Sequence, residues 1–232
     1  MKPTAAAQPE GRAAKVRRSI QLFGLLATLA DLSISAVNRV VFCKILKGVT
    51  IQRVSPEFLD CPDGYRGAVL TETQLREFAR NPEHQLPESF LDEALAKGDE
   101  CYAILHGETL ASFGWYSTRA TRIDPPDLRV NFAEQYVYMY HGFTHPLHRG
   151  KRLHAIGMTQ ALALYLSRGF RGLVSYVEST NYASRKSTVR MGYSEFGTIF
   201  IVRIAGRYLI HRGAGCAPYS FRIERQPSRR DA

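Results

Sequence analysis

FTHPLHRGKRLHAIGMTQAL, residues 143 to 162, decides the fold class. It joins a strongly β-prone run, QYVYMYHGFTH (135–145), to KRLHAIGMTQALALYLSRG (151–169), which has helical composition and is stopped by Gly169. The joint holds Pro146 and the basic turn Arg149-Gly150-Lys151-Arg152. Strand, short loop and helix start in that order make an anion site. The unpaired N–H groups of the first helical turn, the positive end of the helix dipole and three cationic side chains all converge there. Gly150 lets the backbone approach an anion closely. An ordinary βα turn with solvated basic residues has the same local sequence, so the surrounding elements must decide between the two.

Downstream, GLVSYVEST (172–180) reads as a strand and NYASRKSTVRMG (181–192) as a short helix closed by Gly192. SEFGTIFIVRIAGRYLIHRG (194–213) reads as two strands turning at Ala205 and Gly206. Upstream, ECYAILHGETLASFGWYSTR (100–119) is a hairpin around His106 and Gly107, and 119–129, with Pro125 and Pro126, is a loop. TETQLREFAR (71–80) is a helix opened by a Thr71/Gln74 capping box, PESFLDEALAKGD (87–99) a helix stopped by Gly98, and VTIQRV (49–54) a strand. This order predicts an α/β fold, with a mixed, mostly antiparallel central sheet flanked by helices.

The chain has 232 residues, 45% hydrophobic and 22% charged, which excludes a disordered or collagenous chain and suits one domain with an appended segment. The four cysteines (Cys43, Cys61, Cys101, Cys216) form no CxxC or Cys/His cluster, so neither a disulfide framework nor a metal site is expected, and a reduced, cytoplasmic setting is the default. The net charge of +10 is unevenly spread: +7 over residues 1–53, −8 over 54–135 and +11 over 136–232. Phosphate, anionic lipid and acidic carrier proteins are therefore the expected partners; no interleaved stacking or reader motif points to nucleic acid.

Residues 1–14 read as a tail, 15–48 as an apolar, basic-flanked helical extension and 49–232 as the main domain. The apolar run after Lys15-Val-Arg-Arg18 is interrupted by Asp31, Ser33, Ser35, Asn38 and Arg39, which disfavours a membrane span, and no small-x-small cleavage site follows it. A helix packed on the domain or in a homodimer, and a helix on the inner face of a membrane, both remain open.

Thr144-His145-Pro146-Leu147-His148-Arg149-Gly150-Lys151-Arg152-Leu153 resembles the pyrophosphate loop of the GNAT superfamily of acyl-CoA-dependent N-acyltransferases, with matches at Pro146, Arg149, Gly150 and Leu153. Leu147 replaces a frequent Gln/Arg and Arg152 replaces the second glycine. A second family pattern, N-x-x-A-x-x-x-Y-x-x-x-G-F, is matched in spacing by Asn181, Ser184, Thr188, Gly192 and Tyr193. The resemblance covers roughly residues 100–200. It implies acetyl-CoA or another acyl-CoA as donor, an amine acceptor, phosphate binding by 147–153, and pantetheine contacts from Asn181 and Ser184. It also implies an acyl-oxygen site at the N–H groups near Phe143 and Thr144. Thr188 stands where the family often has a Tyr that protonates the leaving thiolate, and is a weaker acid. A base must take the amine proton; His141, Glu178 and Glu134 are candidates, each with a structural role as its alternative. Tyr136, Tyr138 and Tyr140 share one strand face, as core or as the floor of an acceptor pocket. A longer acyl donor at a membrane surface, and a non-catalytic CoA-binding or assembly protein, are the competing functions.

Overall fold

The computed structural model describes residues 41–226 together with Gln21, Gly24, Leu25, Thr28 and Leu29. In chain order the described elements are β1 (Phe42–Ile51), β2 (Tyr65–Val69), α1 (Glu72–Ala79), α2 (Glu88–Lys97), β3 (Glu100–His106) and β4 (Thr109–Ser117). They continue with β5 (Thr121–Ile123), β6 (Leu128–Asn131), β7 (Tyr136–Thr144), α3 (Leu153–Ser167), β8 (Gly172–Glu178), α4 (Tyr182–Arg190), β9 (Ser194–Ile204), β10 (Arg207–Arg212) and β11 (Arg222–Arg225). Eight strands form one sheet in the order β10-β9-β1-β8-β7-β4-β3-β2; β11, β6 and β5 form a small second sheet. In the large sheet only β7 and β8 run parallel. The architecture is thus the mixed, mostly antiparallel sheet flanked by helices that the element order predicts.

Local chemistry places the helix ends. Thr71 and Gln74 form the expected capping box on α1, and Gly98 closes α2 in the left-handed region at φ 83°. The β9–β10 turn uses positive φ at both Ala205 and Gly206, the geometry that matches strand twist in a tight hairpin. One face of the sheet packs on α3 through Ile104, Val137, Leu153, Ile156, Met158 and Leu173, all at most 5% exposed. The opposite face buries Leu46, Val174, Ile199 and Ile201 against the small sheet and Phe221. Within α3, Leu153 is fully packed, whereas Leu164 is only half-buried.

Two expectations change. The first strand begins at Phe42, so residues 42–48 of the expected helical extension belong to the sheet. Their apolar character is the sheet's own: Leu46 is 1% exposed in β1, which lies between β8 and β9. The 119–129 loop contains β5 and the start of β6, whose apolar Ile123 and Leu128 pair across the turn. Residues 15–20 of the extension, most of 21–40 and the 1–14 tail lie outside the described residues. Among the described residues no helix is long and apolar enough to cross a membrane.

Candidate functional site

The sheet opens at its centre. β7 pairs with β8 only over Tyr136–Tyr138 and Gly172–Val174; beyond that β8 follows β1 and β7 follows β4. The β4–β7 register shifts between Trp115, opposite Tyr140, and Phe113, opposite Phe143, so His141 and Gly142 together face Gly114. This is a β-bulge, and it holds His141 at φ 45°, a left-handed conformation uncommon for a residue with a Cβ. The backbone edge of β7 that faces β8 therefore lies open; Ser175 Oγ donates to the Met139 carbonyl at 2.8 Å and holds the start of the gap.

Two clefts use this gap. The first, about 410 Å³, runs along Met139, Gly142, Ser175, Val177, Asn181 and Thr188. The second, about 340 Å³, lies between α2 and the β5 segment, with Phe90, Glu93, Lys97, Arg122 and Asp124 in its wall. Tyr138, Tyr140, His141 and Tyr176 line both, so the clefts meet where the strands part. A third space, about 460 Å³ and lined by Arg152, His154, Ser187, Arg190 and Met191, leads from the basic loop to the first cleft.

The loop brings free backbone N–H groups and cationic side chains together. Pro146–His148 forms a single helical turn, Gly150 sits at φ 82° with open space around its α-carbon, and Arg152 caps α3 at φ 59° with no side-chain cap bond. The first N–H groups of the 15-residue α3 are thus free to meet an anion. Arg152 takes the conformation glycine would supply and lines the channel with its side chain. Arg149 is exposed, its Nε reaching the Thr144 carbonyl at 3.4 Å. Lys151 Nζ donates to the Tyr65 hydroxyl at 2.7 Å, and that hydroxyl also meets His148 Nδ1 at 2.9 Å. Partial burial and the charges of His145, His106 and Lys151 lower the pKa of His148. Leu147 contributes little: its N–H is spent on His145 Nδ1 and its side chain points to solvent. Leu153 offers only its backbone, since the side chain is core.

Asn181 caps α4, its carboxamide oxygen accepting from Ser184 N–H at 3.0 Å, and both residues line the first cleft. Thr188 lines it too, but its hydroxyl donates to the Arg185 carbonyl within the helix, 2.9 Å away. Phe143 and Thr144 do not reach the cleft: they pair with Phe113 and Ser112, and Ser112 Oγ holds both the Phe143 carbonyl and the Thr144 hydroxyl. The open backbone lies earlier, at Tyr140–Gly142.

The base candidates separate clearly. His141 Nε2 lies 3.3 Å from the Gln85 carbonyl, which only accepts, so Nε2 carries the proton and Nδ1 keeps its lone pair. Desolvation beside the Phe90 and Phe113 rings lowers its pKa, outweighing the hydrogen bond to Gln85, which raises it, although the residue as a whole is exposed. A neutral imidazole therefore stands at the meeting point of the clefts at neutral pH. Glu178 forms an ion pair with Lys44 at 2.8 Å, and Lys44 also holds Asp124 at 2.8 Å. Burial works against the Lys44 charge, but the hydrogen bonds and charges of Asp124 and Glu178 prevail and raise its pKa. The Glu178 carboxylate is thus already committed to Lys44. Glu134 is not in the wall of either cleft.

Sequence reasoning missed His154, Tyr65 and the wall of the second cleft. His154 packs against the bulge so closely that a Cβ on Gly142 would lie 2.6 Å from its Cε1. Tyr138 is buried in the core cluster and lines both clefts, so the tyrosine row serves packing and site together. Tyr140 donates a short hydrogen bond to buried Asp99, which also pairs with Lys97 at 2.9 Å; burial and the Asp99 charge drive the Tyr140 pKa far up, leaving it a fixed wall.

No protein-family model matches the chain, and no curated protein matches it in sequence. Solved structures similar in fold include a protein assigned to the GNAT family of acetyltransferases from Novosphingobium aromaticivorans, with TM-score 0.49 and 16% identity over 74% of this chain and 66% of that one. The chain thus spans just under two thirds of that protein's length. A GCN5-related N-acetyltransferase-like protein from Streptococcus suis matches at TM-score 0.48 and 12% identity, over 79% of this chain and 68% of that one. The structure of AAC(6')-Iy in complex with the bisubstrate analogue CoA-S-monomethyl-acetylneamine matches at TM-score 0.46 and 14% identity, over 56% of this chain and 91% of that one.

Proposed function

We propose that the chain is an N-acyltransferase that moves an acyl group, acetyl in the simplest case, from CoA to an amine by direct attack. The observation that carries this reading is the pair of clefts meeting at the parted strands, with His141 in the wall of both. The donor's pyrophosphate lies on the α3 N-terminus with Arg149, Lys151 and Arg152, and its pantetheine arm follows the channel past His154 to Asn181. The thioester oxygen rests on backbone N–H groups at Tyr140–Gly142, where charge develops during attack. The amine enters from the second cleft, whose wall balances Glu93 and Asp124 against Lys97 and Arg122. Nitrogen bonds to the acyl carbon, the carbon–sulfur bond breaks, His141 Nδ1 takes the amine proton and CoA leaves as the thiolate. Thr188, committed to Arg185, is a weak proton source for that thiolate.

A longer acyl donor, carried by CoA or by an acyl carrier protein, is the second reading. A cavity of about 440 Å³ on the other flank of α4 shares Val49, Val177, Thr188 and Tyr193 with the donor cleft, giving an extended chain an apolar wall. Titrating the purified protein with acyl-CoAs of increasing chain length, then finding the acylated product of a cell extract by mass, tests both. Tightest binding by acetyl-CoA favours the first reading and a rise with chain length the second. Absence of binding by any member refutes both.

A further inference from the structure

The outer face of the β1–β9–β10 edge carries apolar side chains that the sheet leaves uncovered. Phe200 is 41%, Ile204 52% and Leu209 64% exposed, and the register places Phe200 beside Ile45, Val202 beside Leu209 and Ile204 beside Arg207 on that one face. Along the same face lies α4, where Val189 is 73% exposed between Lys186 and Arg190. The charges around these side chains are nearly all positive: Lys47, Arg185, Lys186, Arg190 and Arg207, against Glu195, which is already paired with Lys47 at 2.8 Å and Arg185 at 3.8 Å. Exposed apolar groups inside a basic rim suit neither bulk water nor a neutral protein surface. They match a surface that offers both hydrocarbon and negative charge.

Chain connectivity adds to the match. β1 starts at Phe42, paired with Arg203 next to the β9–β10 turn, so the apolar stretch between Arg18 and Arg39 is tethered to this same edge. We propose that the β9–β10 outer face and the exposed side of α4 form a docking surface for an anionic lipid bilayer. The reading does not depend on the acyl-transfer chemistry. It places the α4 flank, and with it the mouth of the donor-side cavity, towards the membrane.

The test is cosedimentation of the full chain with phosphatidylcholine vesicles with and without phosphatidylglycerol. Binding is expected to need the anionic lipid and to fall when salt rises from about 0.1 M to about 1 M, since the Debye length shrinks from about 10 Å to about 3 Å. Ile204→Glu/Arg207→Glu/Leu209→Glu, all at exposed positions, is expected to weaken partitioning at least about tenfold, and Arg207→Glu alone severalfold, with the far-ultraviolet spectrum and melting point preserved. Wild type that stays in the supernatant with anionic vesicles overturns the proposal. So does a folded triple variant that binds as wild type does, which would assign the binding to residues outside this face. Light scattering adds a third test: a wild-type homodimer that the triple variant dissociates would give the face to a second copy of the chain and overturn the bilayer.

Discussion

Replacing His141 by Asn tests the chemistry while sparing the bulge. Asn is among the few residues with a Cβ that tolerate φ near the 45° His141 adopts, so the backbone keeps its path. The variant loses ring contacts with Phe90 at 4.5 Å and Phe113 at 5.8 Å, a cost of about 1 kcal/mol in stability. It also loses the only imidazole that lines both clefts among the described residues, and with it the Nδ1 lone pair. General-base catalysis is worth about a hundredfold or more, so turnover should fall by at least that factor, about 2.7 kcal/mol of barrier, with CoA affinity unchanged. The pH profile carries the sharper signature. Because burial lowers the His141 pKa below the ordinary value, its neutral, proton-accepting form predominates at pH 7 and is lost as pH falls through that lowered pKa. Wild-type kcat/KM should therefore decline on the acid side with a midpoint below the ordinary imidazole value of about 6.5, and the Asn variant should lack that decline. Initial rates from thiol release, measured from pH 5 to 8 with a competent amine, make the comparison. Turnover within threefold of wild type, with the acid limb intact, would remove His141 from the base role.

Glu178→Gln should leave turnover within about threefold, because the Glu178 carboxylate is held by Lys44 and Lys44 retains Asp124; a hundredfold loss in steady-state assays would restore Glu178 as a base. Gly142→Ala should destabilise the protein by about 1–3 kcal/mol in denaturant titrations, since the new Cβ meets His154, and adding His154→Ala should recover most of that loss. Arg149→Glu should weaken CoA at least about tenfold by calorimetry and leave pantetheine, which has no phosphate, nearly unaffected. CoA should also bind more tightly as pH drops from 8 to 6, because the lowered pKa of His148 in the free protein rises beside a diphosphate and proton uptake then favours the complex; pH-independent affinity would separate His148 from the phosphates.

The parts of the site set by local chemistry were legible in the sequence. Pro146, Gly150 and the basic residues around them specify a turn and a helix start within a few residues. Asn181 is marked by the spacing of the second family pattern, and the structure adds that it caps α4. What could not be read depends on register and long-range packing. Whether Phe143 faces the gap or β4 is decided by one extra residue in the bulge, which shifts the open backbone to Tyr140–Gly142. Lys44 reaches Glu178 because β1 lies beside β8, a pairing between distant parts of the chain that no local pattern encodes. His154 occupies the second position of α3 and looks like any early helical residue until the helix is laid against the bulge. The early start of β1 was hidden because its apolar residues continue the composition of the segment before them.

Direct transfer between two clefts that meet at the opened strands makes one kinetic demand above others. With acyl-CoA and a competent amine, the full chain should release one CoA for each amine acylated, only when both are present, and its own intact mass should stay unchanged throughout turnover. Acyl-CoA consumption without amine, accompanied by an enzyme heavier by one acyl group, would contradict direct attack. Failure to bind any acyl-CoA would contradict the donor cleft itself.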